Sequence, residues 1–388
     1  MKPLAATATA MPRSGIREVM ELAGTMEDVI HLEVGEPDFA TPAEVISAAT
    51  NAAVEGFTKY SPNAGFMSLR RAVAERLVAA GRQDVTPEHV VITPGAVCAL
   101  ATAIFAIVNP GEDVLVPDPG WPNYRSAVLL AGARPVAYEL DRSVGYLPRN
   151  GSLTAAAGPQ AKLLMTNSPA NPTGAVFPRD TVRELYEFAA ERDLYLLSDE
   201  VYESFVFDGR HESPAQFDRD GRVIVVSGFS KSFAMTGWRL GYAVAAPPIA
   251  QLMAKLLEPL VSCASSVVQK AGEAALRLPA DRVEVMRRSY AQRAEIVVEI
   301  LGSAGLLMAV PRGAFYALVD VSNAGSDSNI VARDLLRRER VATAPGATFG
   351  RQSEGTVRIS LATDETTLVE GCNRIRRYLE ASTRESPA

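Results

Sequence analysis

Five short apolar runs, each bounded by residues that break a strand, constrain this 388-residue chain more than any other feature. They are Val90-Val91-Ile92, Val114-Leu115-Val116, Leu163-Leu164-Met165, Leu194 to Leu197 and Val223 to Val226, flanked by Gly, Pro, Asn or Asp. Runs this short, with no polar alternation, suit strands covered on both faces. Helix-like stretches lie between them, among them Leu69 to Ala80 and Arg179 to Arg192, the latter opening on Asp180 with Glu184 close behind. The alternation predicts an α/β fold with a mostly parallel sheet sandwiched by helices. Such a sheet takes ligands beyond the carboxyl ends of its strands, so the turns after these runs are where chemistry is expected.

The length exceeds what one simple core serves, and two domains are expected. After about residue 280 the pattern changes to a long charged helix-like segment, Asp281 to Leu301, then a strand-like run within Gly313 to Val319. Residues 45–285 read as a large domain, with 1–44 and 286–388 as a smaller α+β domain closing over the site. The polar tail Ser382 to Ala388 is expected to fray. A net charge of −6 leaves no basic footprint for nucleic acid. Cys98, Cys263 and Cys372 are odd in number and widely spaced, and the three histidines are scattered, so neither a disulfide framework nor a metal site is indicated. The N-terminus has no apolar leader-like run, and the longest apolar stretch, Ala99 to Val108, falls well short of the ~20 residues that span a bilayer. A cytoplasmic protein is expected.

The segment Ser227-Gly228-Phe229-Ser230-Lys231-Ser232-Phe233-Ala234-Met235-Thr236-Gly237-Trp238-Arg239-Leu240-Gly241-Tyr242 follows the last of the five runs. Lysine becomes a useful nucleophile when burial or nearby cations lower its pKa. Arginine offers a planar fork for a phosphate dianion. A lysine, hydroxyls and an arginine together describe a seat for a phosphorylated aldehyde, pyridoxal 5′-phosphate. This segment resembles the cofactor-lysine motif of the class I/II aminotransferases, enzymes of fold-type I. The resemblance implies an aspartate-aminotransferase-like fold with a seven-stranded-type sheet, cofactor attachment at Lys231 and phosphate binding by Arg239. Many relatives have serine at the position of Gly228, so Ser230, with Ser227, is expected to supply the hydroxyl contact.

The other turns fit the same resemblance, which runs from Gly35 to Arg358. Amides of Gly95, Ala96 and Val97 stand where a strand meets a helix N-terminus, a place suited to phosphate. Trp121, on the rigid turn Pro117 to Tyr124, is matched to ring stacking on the cofactor. Asn171, in Asn171-Pro172-Thr173-Gly174, is matched to the cofactor's phenolic oxygen, as is Tyr202. Asp199, a carboxylate at the end of a buried strand and in need of a partner, is matched to the pyridine nitrogen; Glu200 beside it reads as structural. Arg358, inside a strand pattern where arginine usually faces solvent, is matched to the substrate α-carboxylate. Gly35 is matched to a backbone position near that carboxylate. Tyr60 is matched to a tyrosine reaching the neighbouring subunit's cofactor phosphate, which implies a homodimer.

The implied activity is transfer of an amino group from an L-α-amino acid to a 2-oxo acid by a ping-pong mechanism, with Lys231, Asp199 and Tyr202 as the catalytic set. Fold and cofactor residues do not separate this from a β-lyase or an α-oxidation on the same scaffold. A non-catalytic cofactor-binding regulator would need a DNA-binding domain, and only about 40 residues precede the first site motif, without a basic helix-turn-helix pattern. The segment Leu256 to Cys263 carries no arginine for a second carboxylate. Neutral, apolar or aromatic substrates are therefore favoured, aspartate remaining possible, with Ile16 and Val34 as candidate pocket-lining residues.

Overall fold

The computed structural model describes residues 2–82 and 85–385. Its largest element is an eight-stranded sheet in the order Val90–Thr93, Gly241–Val244, Val223–Gly228, Tyr195–Asp199, Ala161–Asn167, Asp113–Asp118, Arg134–Asp141 and Leu147–Pro148. Five neighbours from Val223–Gly228 to Arg134–Asp141 run parallel. Gly241–Val244 is antiparallel to both its neighbours. The sheet has one strand more than the seven expected, the eighth being the two-residue edge strand Leu147–Pro148.

Alternation along the central strands explains why their sequences read as uninterrupted apolar runs. Leu164, Leu196, Val223 and Val225 face one hydrophobic core, while Leu163, Met165, Leu197, Ile224 and Val226 face another. With period 2, a strand covered on both sides has no polar face to show. Helix Arg179–Glu191 covers the first face with Val182, Leu185, Phe188 and Ala189. It begins at Arg179, as the predicted stretch does, directly after Pro178 and with Asp180 in its first turn. Helix Ala96–Ile107 covers the second face with Ala99, Leu100, Ala103 and Ile104. Each fully buried Leu, Ile or Val contributes about 1.5–3 kcal/mol relative to exposure.

A third core surrounds a three-stranded antiparallel sheet of Tyr316–Asp320, Thr356–Ser360 and Ala344–Pro345. Three helices pack there: Asp281–Val297, Ser328–Glu339 and Glu365–Glu385. The first matches most of the predicted 281–301 helix and then widens into one π turn over Val298–Gly302. Asp327 caps the second, its carboxylate accepting from the amides of Asn329 (2.9 Å) and Ile330 (3.2 Å). The last helix runs through Glu385 into the tail expected to fray; residues 386–388 lie outside the described residues. The N-terminal segment joins this core through Val19, Ala23 and Leu32, and Ile30–His31 pairs in parallel with Val341–Ala342. Among the described residues no helix is long and apolar enough to cross a membrane.

Candidate active site

Register sets the site. Asn167 pairs with Asp199 and Asp199 with Val226, so the carboxyl ends of three neighbouring parallel strands finish side by side. The turns after these ends, and after Asp118, carry Trp121, Asn171, Tyr202 and Lys231, each three or four residues beyond the strand. A cavity of about 350 Å³ opens there. It brings together Ala96, Val97, Trp121, Asn171, Asp199, Tyr202, Ser230, Lys231, Arg239 and Arg358, with Ile16, Val34 and Gly35 from the N-terminal segment.

Lys231 is buried, and its Nζ donates to the Gly35 carbonyl at 2.5 Å. Burial first, and then the nearby Arg358 and Arg239 guanidinium groups, lower its pKa to about 8. Arg358 is buried by the sheet rather than solvated. Its Nη1 donates to Asn171 Oδ1 at 3.0 Å and its Nη2 to the Glu33 carbonyl at 2.5 Å. The guanidinium lies between the rings of Tyr316 (4.3 Å) and Phe349 (4.9 Å), and its Nε is buried without a partner. That unmet donor, on a cation held by aromatic faces, leaves capacity for an anionic ligand. Burial lowers the Arg358 pKa.

Asp199 is buried at its strand end. Burial raises its pKa to about 6, against the pull of the Tyr124 hydroxyl, which donates to Oδ2 at 2.7 Å, and of the Val201 amide, which donates to Oδ1 at 3.2 Å. The Tyr202 hydroxyl is 2.8 Å from that of Tyr316. Asn171 is fixed from behind, its amide N–H donating to Asn167 Oδ1 at 2.8 Å; with its own Oδ1 taken by Arg358, its side-chain NH2 is the end left to donate. Gly35 is glycine for a visible reason: a methyl there would overlap the Tyr316 hydroxyl.

Gly95 has φ +81°, and a Cβ there would come within 2.5 Å of Arg239 Nη2, so the turn and the guanidinium sit against each other. Helix Ala96–Ile107 starts at that turn, aiming its free amides at the same place. Gly228 is closely packed too, a Cβ there falling 3.1 Å from the Leu240 carbonyl. Ser230 lines the cavity, but Ser227 does not: strand alternation turns its hydroxyl to the Glu200 carbonyl at 3.4 Å, which corrects its expected phosphate contact. Tyr60 lies outside this cavity and is 87% exposed. Glu200 sits behind the site in a buried cluster, with Arg82 at 2.6 Å, His211 at 3.0 Å and Ser213 at 2.5 Å. Burial pushes its carboxyl up, but these partners bring it down to about 2.

Sequence reasoning missed Tyr124, Asn167 and Tyr316, the residues that orient Asp199, Asn171 and Tyr202. Tyr124 and Tyr316 stand close to recognisable motifs, but nothing local marks a tyrosine whose partner is 75 or 114 positions away.

The family model for aminotransferase class I and II matches residues 27–375. The chain is 39% identical over 372 residues to the aspartate aminotransferase of Pyrococcus horikoshii, covering 95% of each chain. It is 37% identical over 372 residues to aromatic-amino-acid aminotransferase 2 of Thermococcus litoralis, covering 95% of this chain and 96% of that one. The fold matches the solved aspartate aminotransferase from Thermus thermophilus with maleate at a TM-score of 0.92 and 37% identity, over 97% of this chain and 100% of that one.

Proposed function

The chain belongs to the class I and II aminotransferases, and from that premise we propose that it moves the amino group of a neutral, apolar or aromatic L-amino acid to a 2-oxo acid in a ping-pong cycle. The observation that carries this reading is one cavity holding both a buried lysine of lowered pKa and a buried arginine with an unmet donor.

Enzymes of this family use pyridoxal phosphate, and the residues present fit it. Arg239, Ser230 and the amides at Gly95, Ala96 and Val97 would hold the phosphate; Trp121 would stack on the ring. Asp199 would pair with the ring nitrogen, and Asn171 and Tyr202 would face the phenolic oxygen. When bound, the cofactor supplies an electron sink for negative charge developing at the substrate α-carbon. Arg358 binds the substrate α-carboxylate with its fork and so fixes which bonds at the α-carbon face Lys231. Lys231 Nζ, neutral for much of the time near pH 8, takes the α-proton and returns it. Asp199 remains a carboxylate at working pH because Tyr124 and the Val201 amide stabilise its charge.

For the substrate side chain, relatives named for aspartate and for aromatic amino acids are similarly close, so a relative's name does not decide. What supports the neutral reading is the cavity wall, where Ile16, Met20, Val34 and Val97 are apolar and Glu33 and Glu36 add negative charge. Its cations among the described residues are Lys231, Arg239 and Arg358, already engaged with the α-proton, the phosphate and the α-carboxylate. A second substrate carboxylate would go unpaired there. Initial rates with single amino acids against a common oxo acid test this. Phenylalanine or leucine should exceed aspartate about tenfold or more in kcat/KM, with parallel double-reciprocal lines. Aspartate as the best donor, or intersecting lines, would overturn the reading.

We propose also that residues 1–44 and 286–388 act as a unit over residues 45–285, and that the protein is a homodimer in which Tyr60 reaches the partner's phosphate site. Exposed Val54, Tyr60 and Leu260 lie on segments tied together by Asn63–Glu258 (3.1 Å) and Ser266–Lys59 (2.5 Å), which suits an interface. Sedimentation at low concentration tests the dimer; a monomer with full activity refutes the role of Tyr60.

A further inference from the structure

Asp118 ends the strand Asp113–Asp118 three residues before Trp121, and it is only 7% exposed. A carboxylate removed from water needs strong partners. Its partners are two backbone amides from the other sheet: Arg351 N–H donates to Oδ2 at 3.1 Å and Gln352 N–H donates to Oδ1 at 3.1 Å. These residues belong to the connection between Ala344–Pro345 and Thr356–Ser360, the strand that carries Arg358. The connection is shaped for the carboxylate. Gly350 has φ +132°, and a methyl there would overlap Asp118 Oδ1. A further bond runs alongside, from the Gly120 amide to the Phe349 carbonyl at 2.8 Å. The Phe349 ring is the face against which the Arg358 guanidinium rests. Inside the connection, Ser353 Oγ donates to the Gly346 carbonyl at 2.7 Å, so pinning one part of it holds the rest.

We propose that Asp118 is a positioning residue: by pinning the 346–353 connection to the large sheet, it holds Phe349 and thereby sets the Arg358 fork relative to Trp121. Asp118 touches neither substrate nor cofactor; it acts through Phe349. The ring-stacking wall and the carboxylate-binding arginine belong to different sheets, and this carboxylate, beside the Gly120–Phe349 bond, ties the connection that carries Phe349 to the first of them. The proposal rests on Arg358 binding the substrate carboxylate.

Asp118→Ala, loaded with cofactor, tests it. The KM for amino acid and oxo acid, and the inhibition constant of an unreactive monocarboxylate such as 3-phenylpropionate, should rise about tenfold, with kcat and cofactor affinity within about twofold. Gly350→Ala should reproduce this split by putting a methyl where the carboxylate sits. Asp118→Asn, keeping one acceptor oxygen, should fall between. Phe349→Leu leaves the Asp118 bonds in place, so it reads the same link if Asp118→Ala does not fold; it should raise the same constants, and in a foldable pair the double variant should be no worse than the worse single. Arg358→Lys runs alongside. If it raises the constants while soluble Asp118→Ala and Phe349→Leu leave them unchanged, the tie is refuted and the carboxylate role of Arg358 stands. If Arg358→Lys changes nothing, both are refuted. A loss of cofactor affinity parallel to the rise in KM would also overturn the proposal, because it would make Asp118 a local support for Trp121.

Discussion

Replacing Tyr124 by phenylalanine removes one hydroxyl and leaves the ring edge-on to Trp121 at 5.5 Å. The lost bond, 2.7 Å to Asp199 Oδ2, is buried and has a charged acceptor. Bonds of that kind contribute about 1.5–3 kcal/mol. At about 1.36 kcal/mol per pH unit, the Asp199 pKa should climb a further one to two units in the cofactor-free protein. In the parent it already stands at about 6 against an ordinary 3.8, chiefly through burial. A carboxyl group whose folded pKa is raised holds a proton that the unfolded chain has released. Its burial therefore costs nothing below about pH 4; the cost grows up to about pH 6 and is constant above, at roughly 3 kcal/mol. In Tyr124→Phe the growing part extends to roughly pH 7–8. The variant should thus be only slightly weakened near pH 5 and weaker by about a further 1.5–3 kcal/mol near pH 8.5. Denaturant unfolding of the cofactor-free protein at both pH values measures it. A destabilisation equal at the two pH values would refute the reasoning, because the bond would then not depend on the charge of Asp199.

In the cofactor-free protein, Lys231 should react with an amine-selective acylating reagent at a rate that rises through about pH 8, followed by peptide mapping. Below that pH it is a buried ammonium ion; a midpoint near the ordinary 10.5 would contradict the burial argument. Glu200→Gln should lower stability by about 3–5 kcal/mol at neutral pH, because Arg82 and His211 would lose their buried counter-charge. Since the Glu200 pKa is depressed to about 2, its contribution in the parent is present above pH 4.5 and fades as pH falls towards 2, so the gap in melting temperature between variant and parent should close in acid. Ile16→Arg, adding a cation to the apolar wall, should raise kcat/KM for aspartate about tenfold and lower it for phenylalanine; an unchanged ratio would show that the side chain of the substrate does not meet that wall.

Much of the sheet was legible because double burial leaves a one-dimensional mark: Leu163 to Met165 and Val223 to Val226 carry no polar residue, and local sequence suffices. Arg134–Asp141 gave no such mark. It lies next to the short edge strand, and only Tyr138 and Leu140 are buried, so charged residues interrupt it. Gly241–Val244 was hidden differently, as a four-residue strand whose first two residues are the last two of the lysine motif. Its opening glycine makes sense only in three dimensions: Gly241 stands opposite Gly228, and a methyl on it would overlap the Ala96 amide.

The same division runs through the site. Lys231, Asp199, Asn171 and Trp121 were legible because each lies at a strand end or follows one within four residues, and topology brings strand ends together whatever else the chain does. Asp118 gains nothing from that rule. It sits in the same kind of position, three residues before Trp121, yet its partners are amides 233 and 234 residues away, and an amide leaves no trace in the choice of side chain. The one trace is Gly350, which the carboxylate requires, and glycine serves equally in loops where no carboxylate approaches. Residues expected to touch the ligand are thus marked by local sequence around strand ends, whereas residues proposed to aim them are marked by contacts between distant segments. Tyr124, Tyr316 and Asp118 are all of the second kind, which is why resemblance along the chain supplied the groups of the site and only the fold supplied what holds them in place.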